Sequence, residues 1–257
     1  MCNPAVETIE EQLVDIPVSP RSLYGKLTVP LESSGLVLFA QGGGSGIHNP
    51  RNRYVARLLN ESNLATLLID LLTVEEQEID LSTELLRLNI ALLAERVIGA
   101  SDWVAQYPDT NGLRIGYFGT DTGTAAAMEA AAVRSDQVAA IVSAGGRPDL
   151  AGTALARVSA PTLLIVGEND VEAVELNREV FKQLKCEKQF ALVPGATHQF
   201  QEPGALDEVG ALARRWYHSH FVGERDRRQR FELLGCLRVD RLTGGRLTPS
   251  ASSRGSA

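Results

Sequence analysis

Cysteine is scarce in this sequence. The three that occur, Cys2, Cys186 and Cys236, are far apart and odd in number, a spacing that forms neither a disulfide framework nor a zinc site. Positive charge is outnumbered, with 25 Lys and Arg against 32 Asp and Glu and a formal net charge of -7. That balance argues against a nucleic-acid backbone or an anionic membrane as the main partner. Long apolar runs are missing as well. No stretch approaches the roughly 20 residues that a membrane span needs, and no basic segment followed by an apolar core opens the chain. The expectation is a soluble, cytoplasmic protein without a secretory leader.

What is present is material for a core. Hydrophobic residues make up 44% of 257, enough for one large α/β domain or two small ones. Short runs rich in Leu, Val and Ile read as strands buried on both faces: GLVLFA (35–40), ATLLID (65–70), RIGYFG (114–119), VAAIVSA (138–144) and TLLIVG (162–167). Helix-like segments lie between and around them, at 52–63, 81–106, 123–134 and 171–185, followed by a strand at 188–194 and a helix at 203–220. Strand and helix in alternation predict parallel strands with right-handed crossovers, hence one doubly wound sheet. The start reads differently, as two antiparallel strands joined near Ser19-Pro20-Arg21 and laid along one edge. From residue 222 to 257 the basic residues are all arginine, no period persists, and the last ten residues are mostly Ser, Gly, Ala and Thr. This segment reads as a disordered extension or a non-native read-through, with an interaction arm as the alternative, so the fold is expected within 1–221.

Two loops carry the chemistry. QGGGSG (41–46) follows a strand, and it suits either a dinucleotide loop, with Asp70 on the ribose, or an oxyanion-hole loop whose N–H groups face a developing negative charge. The G-x-G-x-x-G spacing is not met, and the absence of a following Lys-Ser/Thr pair excludes a P-loop. The loop alone leaves both readings open. In GYFGTDTG (116–123) a strand runs into an Ala-rich helix through a turn of the G-x-S-x-G type, with Asp121 where the nucleophile stands. Downstream, Asp170 in END follows one strand end and His198 in GATH follows the next. The order is nucleophile position, acid, histidine, each at the carboxyl end of a parallel strand, where loops converge. Histidine then acts as the base, and the acid fixes its tautomer.

Taken together, LVLFAQGGGSG, GYFGTDTG, SAPTLLIVGEND and VPGATHQFQEPGAL resemble the α/β-hydrolases, most of all the small hydrolases without a cap domain that are akin to dienelactone hydrolase. The resemblance covers roughly residues 13–221. It implies an α/β-hydrolase fold, an Asp121-Asp170-His198 triad, and oxyanion donors from the backbone of Thr122 and of Gly42 and Gly43, with no metal or organic cofactor. The sequence departs from the family at Gln41, where His is usual, and at Asp121, where Ser or Cys is usual. An aspartate nucleophile suits a carbon bearing halide or an epoxide carbon, because its attack yields an alkyl ester that activated water can cleave. The expected function is therefore hydrolysis of a small organic substrate, of the ester and lactone lineage or by alkyl halide and epoxide chemistry. The alternative is a relative that has lost acyl transfer and binds a ligand or partner.

Other residues have plainer readings. Asp121 could cap the helix near Gly123, Asp170 the helix at Val171, and His198 could be a surface loop residue. Gln41, His48, Arg51 and Arg53 flank the glycine loop and are candidates for substrate contact, although loop or helix-start exposure accounts for the last three. His218 and His220 end a helix, where cations suit the dipole. Trp103 and Trp216 read as core, and Cys186, outside the elbow, as a poor nucleophile. Self-association is left open.

Overall fold

The computed structural model describes residues 11–43 and 46–221, whose apolar runs form eight strands of one sheet. The Arg-rich segment 222–257, Cys2, Cys236 and Gly44 lie outside the described residues. A hairpin comes first, β1 (Glu11–Val18) and β2 (Arg21–Thr28), paired antiparallel. Then follow β3 (Leu36–Gln41), α1 (Pro50–Asn60), β4 (Ala65–Ile69), α2 (Val74–Thr83), α3 (Ile90–Gln106), β5 (Ile115–Asp121) and α4 (Gly123–Val133). The second half adds β6 (Val138–Gly146), a 3₁₀ segment (Pro148–Arg157), β7 (Thr162–Gly167), α5 (Val171–Gln183), β8 (Lys188–Val193) and α6 (Ala205–Phe221). Across the sheet the order is β1-β2-β4-β3-β5-β6-β7-β8. β2 joins β4 antiparallel, and every pair from β4 through β8 is parallel. This is the α/β-hydrolase architecture without a cap domain: between β6 and β7 stands only the ten-residue 3₁₀ segment.

β3 shows why the runs are continuous rather than alternating. All six of its residues are buried. Leu36, Leu38 and Ala40 pack into the layer that holds α3 and α4, whereas Val37 and Phe39 pack into the layer that holds α1 and α6. With helices on both faces, the period of two carries no polar side, and the strand is apolar until Gln41 at its carboxyl end. β3 also lies between β4 and β5, so its following loop and the loop after β5 open toward each other at the carboxyl edge. Ligand sites of open α/β sheets form at such a reversal of strand order.

The segment read as one helix over 81–106 is two. α2 starts at a capping box: Thr73 Oγ1 accepts from Glu76 N, and the Glu76 carboxylate accepts from Thr73 N. It stops at Glu84, which takes a left-handed φ of 56°. The buried Asp80 carboxylate then accepts from the N–H groups of Leu86 and Arg87, turning the chain back before Asn89 caps α3. Periodicity cannot see a break made by one side chain reaching six residues ahead.

Candidate active site

At the end of β5 the chain makes a turn that only small neighbours permit. Asp121 sits at φ 48°, a left-handed conformation uncommon for a residue with a Cβ. Thr122 returns to the right-handed helical region and α4 begins at Gly123. A Cβ on Gly123 would lie 2.3 Å from the Ala40 carbonyl oxygen, and one on Gly119 would lie 2.5 Å from the Thr124 Cα. Both obstacles are backbone. The G-x-D-x-G spacing is therefore a steric requirement of the turn, which holds the Asp121 side chain 39% exposed above the sheet.

The triad residues expected from the sequence meet here. His198 Nδ1 lies 2.9 Å from Asp170 Oδ2, and its Nε2 lies 3.7 Å from Asp121 Oδ1. The first distance is a hydrogen bond; the second is a charge contact longer than one. Asp170 makes the contacts of both readings that the sequence left as alternatives. Its Oδ1 accepts from Ala173 N at 3.2 Å and caps α5, while Oδ2 holds the histidine. The two carboxylates also set the charge of the imidazole. The Asp121 carboxylate foremost, with help from Asp170, raises the His198 pKa above its ordinary 6.5, and partial burial opposes the rise.

The loop that carries His198 is fastened to the loop that carries Asp170. Asn169 Nδ2 donates to the Gly195 carbonyl at 2.8 Å, and Gly195 N donates to Glu168 Oε2 at 3.0 Å. Asn169 N adds a bond to the Ala196 carbonyl. Beyond the histidine, Thr197 Oγ1 donates to Glu202 Oε1 at 2.6 Å. None of these partners stood out in the sequence, because Glu168, Asn169, Thr197 and Glu202 are polar loop residues like their neighbours and Gly195 and Ala196 take part through their backbone alone.

On the other side of the elbow lies the glycine loop. A Cβ on Gly42 would fall 1.6 Å from Thr122 Oγ1 and 2.8 Å from Gly123 N, so this stretch abuts the start of α4. Gly43 follows on the same loop. Asp70, the ribose partner of the dinucleotide reading, instead accepts from Ile47 N at 3.0 Å and ties down the far end of the loop. Gln41 is turned inward, buried, and bonded to the Gly43 carbonyl and to Asn52. Arg51 contributes its backbone N–H to the Asn49 cap of α1. His48 and Arg53 line a cleft of about 340 Å³ against the β1–β2 hairpin, with Leu13, Tyr24 and Lys26, and no triad residue lines it. His220 is buried and bonded to the Trp216 carbonyl, a structural position.

No helix among the described residues is long and apolar enough to cross a membrane. Comparison with known proteins agrees with this fold. The model of the dienelactone hydrolase family matches residues 72–220. A dienelactone hydrolase from Anabaena variabilis is 50% identical, superposes with a TM-score of 0.80, and is covered over 98% of its chain by 82% of this one. Est1E from Butyrivibrio proteoclasticus shares the fold at 18% identity and a TM-score of 0.67, with 81% of this chain and 98% of that one aligned. A Mycobacterium tuberculosis protein, named provisionally as a phosphoribosyl transferase, is 46% identical over 215 residues, which are 84% of this chain. Those residues are 48% of that protein, so the chain spans about half the length of the curated relatives it matches. The elbow, the sheet order, the family match and the 50% identity lead to one conclusion: this chain belongs to the dienelactone hydrolase family.

Proposed function

We propose that this protein hydrolyses a small organic substrate through Asp121, Asp170 and His198, working in the cytoplasm and without a metal or organic cofactor. The observation that carries the reading is the His198 imidazole bridging Asp170 at 2.9 Å and facing Asp121 at 3.7 Å across the nucleophile elbow. For an alkyl halide, an Asp121 carboxylate oxygen bonds to the carbon while halide leaves with the bonding pair, forming an alkyl ester of Asp121. His198 then takes a proton from water as the water attacks the ester carbonyl. The tetrahedral oxyanion meets the backbone of Gly42, Gly43 and Thr122. Its collapse expels the alkoxide, which takes the proton back from His198 to leave as the alcohol, and the Asp121 acid loses its proton to solvent to restore the carboxylate. Asp170 holds the imidazole in the required tautomer and stabilises it once protonated. The transferase named for the curated relatives belongs, on this reading, to the half of those proteins that the chain does not span.

Family membership favours one further possibility, that the site descends from ester and lactone hydrolysis and Asp121 redirects or silences it. A carboxylate attacking an ester would form an anhydride, and its charge opposes an adjacent oxyanion. Two measurements decide. A single turnover in oxygen-18 water should leave the heavy label in Asp121, because water attacks the enzyme's own carbonyl; label found only in product excludes the nucleophile role. Separately, Asp121→Ser should hydrolyse aryl acetates faster than wild type, and His198→Ala should remove the gain. One oxyanion donor is typically worth roughly 3 kcal/mol, and a misplaced charge should cost a comparable amount. A folded Asp121→Ser that is no faster than wild type supports a non-catalytic binding protein instead.

A further inference from the structure

An oxyanion loop must turn N–H groups toward the substrate, so its carbonyls must be turned away. At Gly43 that condition is enforced by side chains. Gln41 Nε2 donates to the Gly43 carbonyl at 2.6 Å, and Asn52 Nδ2 donates to Gln41 Oε1 at 2.7 Å. The direction of this relay is not free. A carbonyl can only accept, so Gln41 must present its nitrogen to Gly43. Its oxygen is then left for Asn52, which must present its own nitrogen in turn. Both residues are buried, Gln41 at 7% exposure and Asn52 at 3%, so bulk water does not stand in for a missing partner. Asn52 is itself fixed, in the first turn of α1, where its N–H and that of Arg51 bond the Asn49 cap.

We propose that Asn52, acting through Gln41, is a positioning residue for the oxyanion loop, holding the Gly43 carbonyl inward so that the loop stays competent to receive negative charge. The catalytic consequence rests on the hydrolase reading above; the hold on the loop does not. Gln41 is then no substrate contact. Its amide supplies one donor and one acceptor in a fixed order, whereas a glutamate at position 41 could still accept from Asn52 but could not donate to the Gly43 carbonyl.

The test is Asn52→Asp, a nearly isosteric change. The new carboxylate only accepts, so Gln41 must rotate its nitrogen toward it and leave oxygen facing the Gly43 carbonyl. Asn52→Asp, Gln41→Ala and the double variant are compared in wild type and in Asp121→Ser. Two readouts are taken: hydrogen exchange of the peptide covering 41–49, and kcat and KM on whichever of aryl acetates or haloalkanes the parent turns over. Exchange should quicken in Asn52→Asp. Its kcat should fall at least about tenfold, less than the roughly 10²–10³ of deleting an oxyanion donor outright, with KM changed by less than about twofold. If Asn52 acts only through Gln41, the double variant should match Gln41→Ala in both. Unchanged exchange in Asn52→Asp overturns the relay. Faster exchange with kcat retained overturns the positioning role. If neither parent turns over any substrate, the hydrolase reading fails by itself, and exchange alone decides the relay: quickened supports it, unchanged refutes it.

Discussion

Asp170 serves two structures with its two oxygens, and substitution can separate them. Oδ1 caps α5 through Ala173 N at 3.2 Å, and Oδ2 holds His198 at 2.9 Å, with the carboxylate 19% exposed. Asp170→Ala removes both. Loss of such a cap costs about 1 kcal/mol, and loss of the negative charge at the helix start about 0.5 kcal/mol more. The pair with His198, whose ring is 41% exposed, adds little to stability. A total near 1.5 kcal/mol corresponds to a Tm lower by about 3–6 °C in a chain of this size. Asp170→Asn behaves differently, because asparagine caps as well as aspartate does. Its oxygen can keep Ala173, which leaves its NH₂ toward His198 and forces the imidazole into the opposite tautomer. The Tm should then fall by only about 1–2 °C, from the lost charge alone. Turnover should fall by a thousandfold or more, on the scale of the ~10⁴ loss for this exchange in a serine-protease triad. Thermal unfolding and steady-state kinetics on both variants read the two effects separately. The reasoning is refuted if Asp170→Asn destabilises as much as Asp170→Ala, or if it keeps more than about a tenth of the parent's kcat.

The remaining predictions concern charge and the elbow. Because the Asp121 and Asp170 carboxylates raise the His198 pKa above 6.5, the stability it contributes is fully present below 6.5. That contribution is lost as pH rises through the raised folded value. Hydrolysis needs the neutral ring, so kcat should increase with pH through that same value. Removing the Asp121 charge in Asp121→Asn should move the His198 titration to lower pH, read by NMR of the ring protons. A midpoint that does not move would show that Asp121 is not its main partner. Gly123→Ala puts a methyl 2.3 Å from the Ala40 carbonyl oxygen in the backbone of β3. It should cost about 1–3 kcal/mol in chemical denaturation, the range for overpacking a tight interior, whereas a cost below 0.5 kcal/mol would show that the elbow can open.

The sequence by itself determined the strands, the order of the chemistry along the chain, and the elbow. Runs such as LVLFA and LLIVG are apolar throughout, which is what a strand under helices on both faces requires, and the glycines at 119 and 123 announce a turn that excludes side chains. Those signals are local, since each depends on residues within one turn or one strand. Three things were decided only by the tertiary structure. The break at Glu84–Asn89 comes from the Asp80 carboxylate reaching across a loop, and apolar periodicity carries no trace of it. Gln41, His48, Arg51 and Arg53 flank the glycine loop alike in sequence. Burial and partners sort them, sending Gln41 inward to Asn52 and placing His48 and Arg53 in a cleft beside the hairpin. Asp170 could be read as cap or as partner of His198, and the fold gives it both contacts, because the fastened loops bring His198 to the one carboxylate oxygen that α5 leaves unused. Hydrogen-bond direction and the meeting of loops depend on residues dozens of positions apart, so the sheet order had to exist before they could be known.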